Sequence, residues 1–325
     1  MTKPLLEVTD LSVDYLTDAA DVRAVNQVSL TVEPGEFLGI VGESGCGKST
    51  LLFAAGQLLS APGEVVGGSV TFHGSDMVRL AGEQLRSIRW RDYSVVMQSA
   101  MNALNPTMSI GAQFKDTLQA HGSLSDEEIR DRSAEVMSLV GIDPVHLESY
   151  PHQLSGGMRQ RAMIAMALLF TPQLVMMDEP TSSLDVVAQR SLMNKVKELQ
   201  ETLGFAVIFV THDMSVVSRY ADRVLVMYAG QIAEAARTEE IFEHPHHPYT
   251  RGLMSAFPSV RGPRRELQGI PGSPPDLAHP PAGCPFHPRC PDVMPVCLSH
   301  EPELYPVGDA DVRCFLYTEQ VKGAV

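Results

Sequence analysis

The sequence predicts an α/β protein: a parallel-sheet core wound by helices, an N-terminal antiparallel β subdomain, a helical insertion and a Pro/Cys-rich C-terminal extension. Three observations carry this. Short unbroken apolar runs recur at Phe37–Val41, Ser94–Met97, Leu174–Met177, Ala206–Val210 and Val224–Met227, the pattern of strands buried on both faces. Helical segments, among them Lys48–Leu59, Met158–Phe170 and Ala188–Leu203, separate most of these runs, and such alternation implies right-handed crossovers. Proline is uneven: 8 of the 23 lie before residue 244 and the other 15 between Pro245 and Pro306.

Each element follows from local pattern. Alternating apolar and polar residues at Leu5–Tyr15, Ala24–Val32 and Ser69–His73 predict the antiparallel strands. Residues from about 99 to 170 read mainly as helix, with an acid-rich start at Leu124–Glu128. The compositional break falls near residues 245–262. It divides the chain into a domain over 1–250 and an extension over 251–325 that builds little core alone.

Composition excludes several functions. The chain has 325 residues, 44% apolar and 20% charged, which suits a packed core. Its net charge of −14 argues against nucleic acid and against adsorption to anionic lipid. The most apolar long stretch free of charge, Ala162 to Met177, is too short to span a bilayer, and the N-terminus lacks a secretory h-region. A cytosolic chain is expected, so any membrane link runs through a partner.

The chemistry is concentrated in two places. Gly42-Glu-Ser-Gly-Cys-Gly-Lys48-Ser49-Thr50 fits G-x4-G-K-[ST], after a strand and opening a helix. Its glycines (Gly42, Gly45, Gly47) let backbone N–H groups, those of Ser44 and Cys46 included, turn toward phosphate oxygens. The helix N-terminus adds its dipole. Lys48 is placed to reach the β- and γ-phosphates and Ser49 to ligate Mg2+. The second place is Leu174–Glu179, an apolar strand ending in two acids at the sheet edge where ligands bind. There Asp178 is expected to hold Mg2+ and Glu179 to polarise the attacking water.

Leu154-Ser-Gly-Gly-Met158 resembles the signature of the ABC-type ATPases, LSGGQ, with Met for Gln at the fifth position. The resemblance covers residues 5 to about 245. It implies a P-loop NTPase with a RecA-like core that binds ATP and Mg2+. Two such domains pack head to tail, so Ser155, Gly156 and Gly157 close on the partner chain's ATP. Tyr15 matches the aromatic that stacks on adenine, or is simply a strand tyrosine. Gln98 matches the Q-loop glutamine near Mg2+ and the water, Asp185 the D-loop at the dimer seam, and His212 the switch histidine. The resemblance makes Glu179, His212, Gln98 and Lys48 the catalytic set. The Q-loop segment and insertion (about 98–125) would receive a permease helix.

Ile241–Thr250, with its His-Pro-Tyr-Thr run, resembles the C-terminal region of oligopeptide/dipeptide importer ATPases. His244, His246 and His247 suggest either a metal site or a turn packed by proline and histidine. Cys284, Cys290, Cys297 and Cys314 are spaced C-x5-C-x6-C-x16-C, without the close pairs usual for structural zinc. They are expected to ligate a [4Fe–4S] cluster, with zinc or unliganded thiols as the alternatives.

The resemblance implies the ATPase subunit of a membrane importer of di- and oligopeptides, or of nickel or another small solute. It would work at the cytoplasmic face with a second ATPase chain (a heterodimer rather than a homodimer), two permease subunits and, indirectly, an extracytoplasmic solute-binding protein. A soluble ABC ATPase acting on ribosomes or DNA is disfavoured by the charge, the single cassette and the tail. An iron–sulfur sensor that uses ATP as a switch is a third reading, less economical given the full hydrolytic set.

Overall fold

The computed structural model describes residues 3–17, 20–98, 103–256 and 269–318. The strands are β1 (Leu6–Tyr15), β2 (Val22–Val32), β3 (Phe37–Val41), β4 (Gly63–Phe72), β5 (Ser75–Asp76), β6 (Tyr93–Val96), β7 (Leu174–Asp178), β8 (Ala206–Thr211), β9 (Arg223–Tyr228), β10 (Gln231–Arg237), β11 (Tyr305–Val307) and β12 (Ala310–Val312). The helices are α1 (Lys48–Ala55), α2 (Gly82–Ile88), α3 (Ile110–His121), α4 (Asp126–Leu139), α5 (Gly156–Ala167), α6 (Val186–Leu203), α7 (Met214–Tyr220), α8 (Thr238–Glu243) and α9 (Pro248–Ala256). None of them is long and apolar enough to cross a membrane.

The chain forms two compact units. The first comprises Met1–Leu6, Val32–Phe37 and Thr71–Phe209. In it β6 and β7 pair in parallel, Tyr93 opposite Leu174 through Val96 opposite Met177. Every residue of β7 is buried, which explains its unbroken apolar run. The expected helical region, of which residues 99–102 lie outside the described residues, supplies α3, α4 and α5. Helix α3 packs on α4 and α4 on α5, with Phe114, Leu118, Val136 and Met137 fully buried. The acid-rich start of α4 is a capping box. Ser125 Oγ accepts from Glu128 N, and the Glu128 carboxylate accepts from Ser125 N at 2.7 Å.

The second unit comprises Glu7–Thr31, Leu38–Val70 and Val210–Val325. Strands β1, β2 and β4 lie in the order β2-β1-β4. Strand β3 runs parallel to β9, Leu38 opposite Arg223 through Val41 opposite Val226, and β9 turns back into antiparallel β10. The extension then contributes a β11–β12 hairpin, and β12 pairs with β10 through Glu234 opposite Val312 and Ala235 opposite Asp311. The tail, read from composition as loop, is thus hydrogen-bonded into the sheet. Its strands are three residues each, too short for a periodic signal.

Candidate functional site

Buried strand β3 ends at Val41 and delivers the loop Gly42–Gly47 to the start of α1. Gly47 is the cap of α1 in the left-handed region, φ 100°, and a Cβ there would strike the Ala24 carbonyl oxygen. A Cβ on Gly42 would meet the Met227 carbonyl in the same way. The loop therefore bends as only glycine allows, and it leaves a helix N-terminus at its mouth. Lys48 is 5% exposed, and its ammonium donates to the Gly42 and Glu43 carbonyls, both at 2.8 Å. Cys46, within the loop, is buried, and burial pushes its thiol up, which keeps it protonated. Tyr15, at the end of β1, lies with its hydroxyl 3.1 Å from Thr50 Oγ1 in the first turn of α1. Ser49, between Lys48 and Thr50, is half-buried in the same turn.

The acidic strand end lies in the first unit. Asp178 is the last residue of β7 and is 1% exposed. Glu179 follows at φ 43°, a left-handed conformation rare outside glycine, asparagine and aspartate. Such an outlier costs of order 1–3 kcal/mol and persists only where the surroundings fix it. The Gln98 amide, just beyond β6, donates to Glu179 Oε2 at 3.1 Å and orients that carboxylate.

The remaining expected residues sit at helix starts and a strand end. Ser155 caps α5, its hydroxyl accepting from Met158 N at 3.3 Å, with Gly156 and Gly157 in the first turn. Asp185 caps α6, accepting from Val187 N and Ala188 N. His212 is exposed directly after β8. The structure thus joins Gln98 to Glu179, Tyr15 to Thr50 and Lys48 to its own loop. A glycine loop at a helix N-terminus, with a buried ammonium beside it, is the donor set for a polyanion. The residues present fit a nucleotide phosphate.

The cysteines require a correction. Cys284, Cys290, Cys297 and Cys314 do line one cavity, with Phe286, Met294 and Phe315. Yet among the described residues no group of three or more Cys, His, Asp or Glu is arranged to hold a metal ion, and all four are free thiols. Neither the [4Fe–4S] cluster nor zinc is supported. Burial pushes the Cys284 thiol up to about 11 and the Cys314 thiol up to about 12. The histidines form a packed turn instead. Buried Glu234 accepts from the His246 and His247 N–H groups at 2.8 Å each, and His247 Nδ1 accepts from Tyr249 N.

Sequence reasoning passed over Glu43 and Arg289. The Arg289 guanidinium makes a two-pronged pair with the Glu43 carboxylate, at 2.6 and 3.0 Å. The available signals were a carboxylate in a loop built for anions and an arginine in an apolar cysteine-rich stretch.

These features define an ABC-type ATP-binding cassette. The family described as ABC transporter matches residues 25–182, and the family described as oligopeptide/dipeptide transporter, C-terminal region, matches residues 233–297. The chain is similar to the ATP-binding cassette MJ0796, solved as a dimer bound to ADP and Pi (28% identity, TM-score 0.64, covering 72% of this chain and 98% of that one). It is 42% identical to the dipeptide transport ATP-binding protein DppD of Caldanaerobacter subterraneus subsp. tengcongensis, over 97% of this chain and 98% of the relative. It is also 42% identical to the oligopeptide transport ATP-binding protein OppD of Salmonella typhimurium, over 98% and 95% of the two chains. The chain belongs to this family of ABC transporter ATP-binding proteins, and it is an ATPase.

Proposed function

We propose that this chain is the ATPase subunit of a peptide importer, acting at the cytoplasmic face of the membrane through permease subunits. The observation that carries the reading is the C-terminal region. It matches the oligopeptide/dipeptide transporter family, on a chain similar over nearly its whole length to peptide transport ATP-binding proteins. The cassette would span residues 1–250 and the extension 251–325, and its ATPase partner would be a related but different chain.

In this reading the Gly42–Gly47 backbone and Lys48 hold the phosphates, Tyr15 stacks on the base, and Ser49, Asp178 and Gln98 hold Mg2+. Bound Mg2+ supplies charge neutralisation on the phosphate oxygens. Glu179 accepts a proton from the attacking water, with Gln98 fixing the direction of its carboxylate. His212 donates to the γ-phosphate. Ser155, Gly156 and Gly157 present helix-start N–H groups to the nucleotide held by the partner chain, and Asp185 lies at the dimer seam. Positioning and charge stabilisation carry the rate, with no covalent intermediate.

The test is uptake of labelled dipeptides, oligopeptides and Ni2+ by cells lacking this chain, complemented with wild type or Glu179→Gln. Peptide uptake restored by wild type alone is expected. Restored Ni2+ uptake with no peptide uptake would overturn the peptide assignment. The same variant in the purified chain is expected to bind ATP and lose turnover by about 100-fold or more.

A further inference from the structure

Glu43 is the second residue of the phosphate loop, and each of its polar groups is taken. Its carbonyl accepts from Lys48 Nζ at 2.8 Å. Its N–H donates to the Tyr249 hydroxyl at 2.9 Å. Its carboxylate receives the two-pronged pair from Arg289, whose side chain is 4% exposed. Two of these three partners come from the C-terminal region, more than 200 residues along the chain. Arg289 is itself fixed. Its Nε donates to the Pro271 carbonyl at 2.8 Å, and its guanidinium lies 5.9 Å from the centre of the Tyr228 ring. Tyr228, Tyr249 and Phe286 pack ring against ring around it, with centroids 4.6 to 5.5 Å apart.

A carboxylate in this loop is electrostatically wrong for the loop's ligand. A polyphosphate arriving at Gly42–Lys48 meets a fixed negative charge unless that charge is cancelled. Arg289 cancels it, and the rigid fork holds the carboxylate against the tail. We propose that Arg289 is a positioning residue for nucleotide binding: it neutralises Glu43 and draws it toward the extension, so that the extension sets the ATP affinity of the phosphate loop. This rests on the assignment of that loop as the ATP site. Tyr249 fixes the backbone of the same residue, so the C-terminal region from 233 onward holds both the main chain and the side chain of Glu43.

The test is MgATP affinity and steady-state hydrolysis by the full-length chain. Arg289→Gln leaves Glu43 charged and unpaired, and the expected result is a rise of about tenfold in Kd and KM for ATP, with kcat at saturation within about threefold. The double variant Arg289→Gln/Glu43→Gln removes the exposed charge as well and is expected to return ATP affinity to within about threefold of wild type. Arg251→Ala breaks a half-exposed ion pair with Asp292 in the same extension and is expected to leave ATP affinity unchanged. The proposal is overturned if Arg289→Gln binds ATP like wild type, or if the double variant is as weak as the single one. Should Arg289→Gln not fold, a folded double variant with near-normal affinity supports the proposal, and one that is also unfolded overturns it. Lys48→Ala separates the two levels. If it binds ATP normally, the loop assignment itself fails; if it loses ATP while Arg289→Gln binds normally, only the present inference fails.

Discussion

The second unit holds two cradles of opposite character. The phosphate loop is built of backbone donors around a buried ammonium, and its positive-φ glycines let the chain pass close against the Ala24 and Met227 carbonyls. The cysteine cavity is lined by four thiols among Phe286, Met294 and Phe315, and burial there pushes the Cys284, Cys290 and Cys314 thiols toward the neutral form. One environment is arranged for negative charge and the other rejects it. Ligand-type atoms converge in both, but only the first is arranged to hold an ion. Local dielectric and nearby donors, more than the identity of the residues, decide whether a cluster is a site.

The sharpest way to break the contrast is Lys48→Ala. It removes the only ammonium hydrogen-bonded to the Gly42 and Glu43 carbonyls among the described contacts, and ATP turnover is expected to fall by about 100-fold or more. A variant retaining more than a tenth of wild-type turnover would make the loop's charge dispensable.

The thiols come next. With Cys284 pushed up to about 11 from 9.0, its thiolate fraction near pH 8 is expected to be about 100-fold below that of a free thiol. Alkylation by iodoacetamide, followed by mass spectrometry, should be slow near pH 8 and accelerate until about pH 11. Rapid labelling at pH 8 would show an environment that favours charge after all. The same shift has a stability consequence. The folded state prefers the protonated thiol, so its contribution is complete below pH 9 and lost as pH rises through 11.

A smaller effect is expected at His247. Burial lowers it from 6.5 to about 3, so the folded chain holds it neutral. Stability is full above pH 6.5 and is lost as pH falls from there toward 3. In thermal melts the stability gap between wild type and His247→Gln is expected to be constant above pH 6.5 and to shift steadily against wild type as pH falls below it. Parallel curves across that range would remove His247 from the acid response.

The two regions also differ in how far the sequence disclosed them. The phosphate loop is contiguous, and its chemistry depends on glycines, one lysine and a strand–helix junction that nine residues encode. The strand ending at Asp178 was legible for the same reason: a buried parallel strand has a period-free apolar signature, and its end is where the polar residues begin. The tail was not legible. Its four cysteines resembled a ligand set because spacing reports which atoms are available and nothing of the dielectric around them. Likewise β12 reaches β10 and Arg289 reaches Glu43 over separations that no local pattern records. The capping role of Asp185 and the left-handed Glu179 were hidden too, since neither follows from residue type alone.

The pairing of Glu43 with Arg289 also sets an order of events during synthesis. The two residues are 246 positions apart, and at about 5–20 residues per second the arginine follows the glutamate by roughly 12–50 s. For that interval the nascent chain carries a phosphate loop whose carboxylate has no counter-charge. On the proposal that Arg289 neutralises Glu43, a chain released before residue 289 lacks the loop's counter-charge. A ribosome that stops early leaves behind a cassette whose loop carries the right residues and the wrong charge.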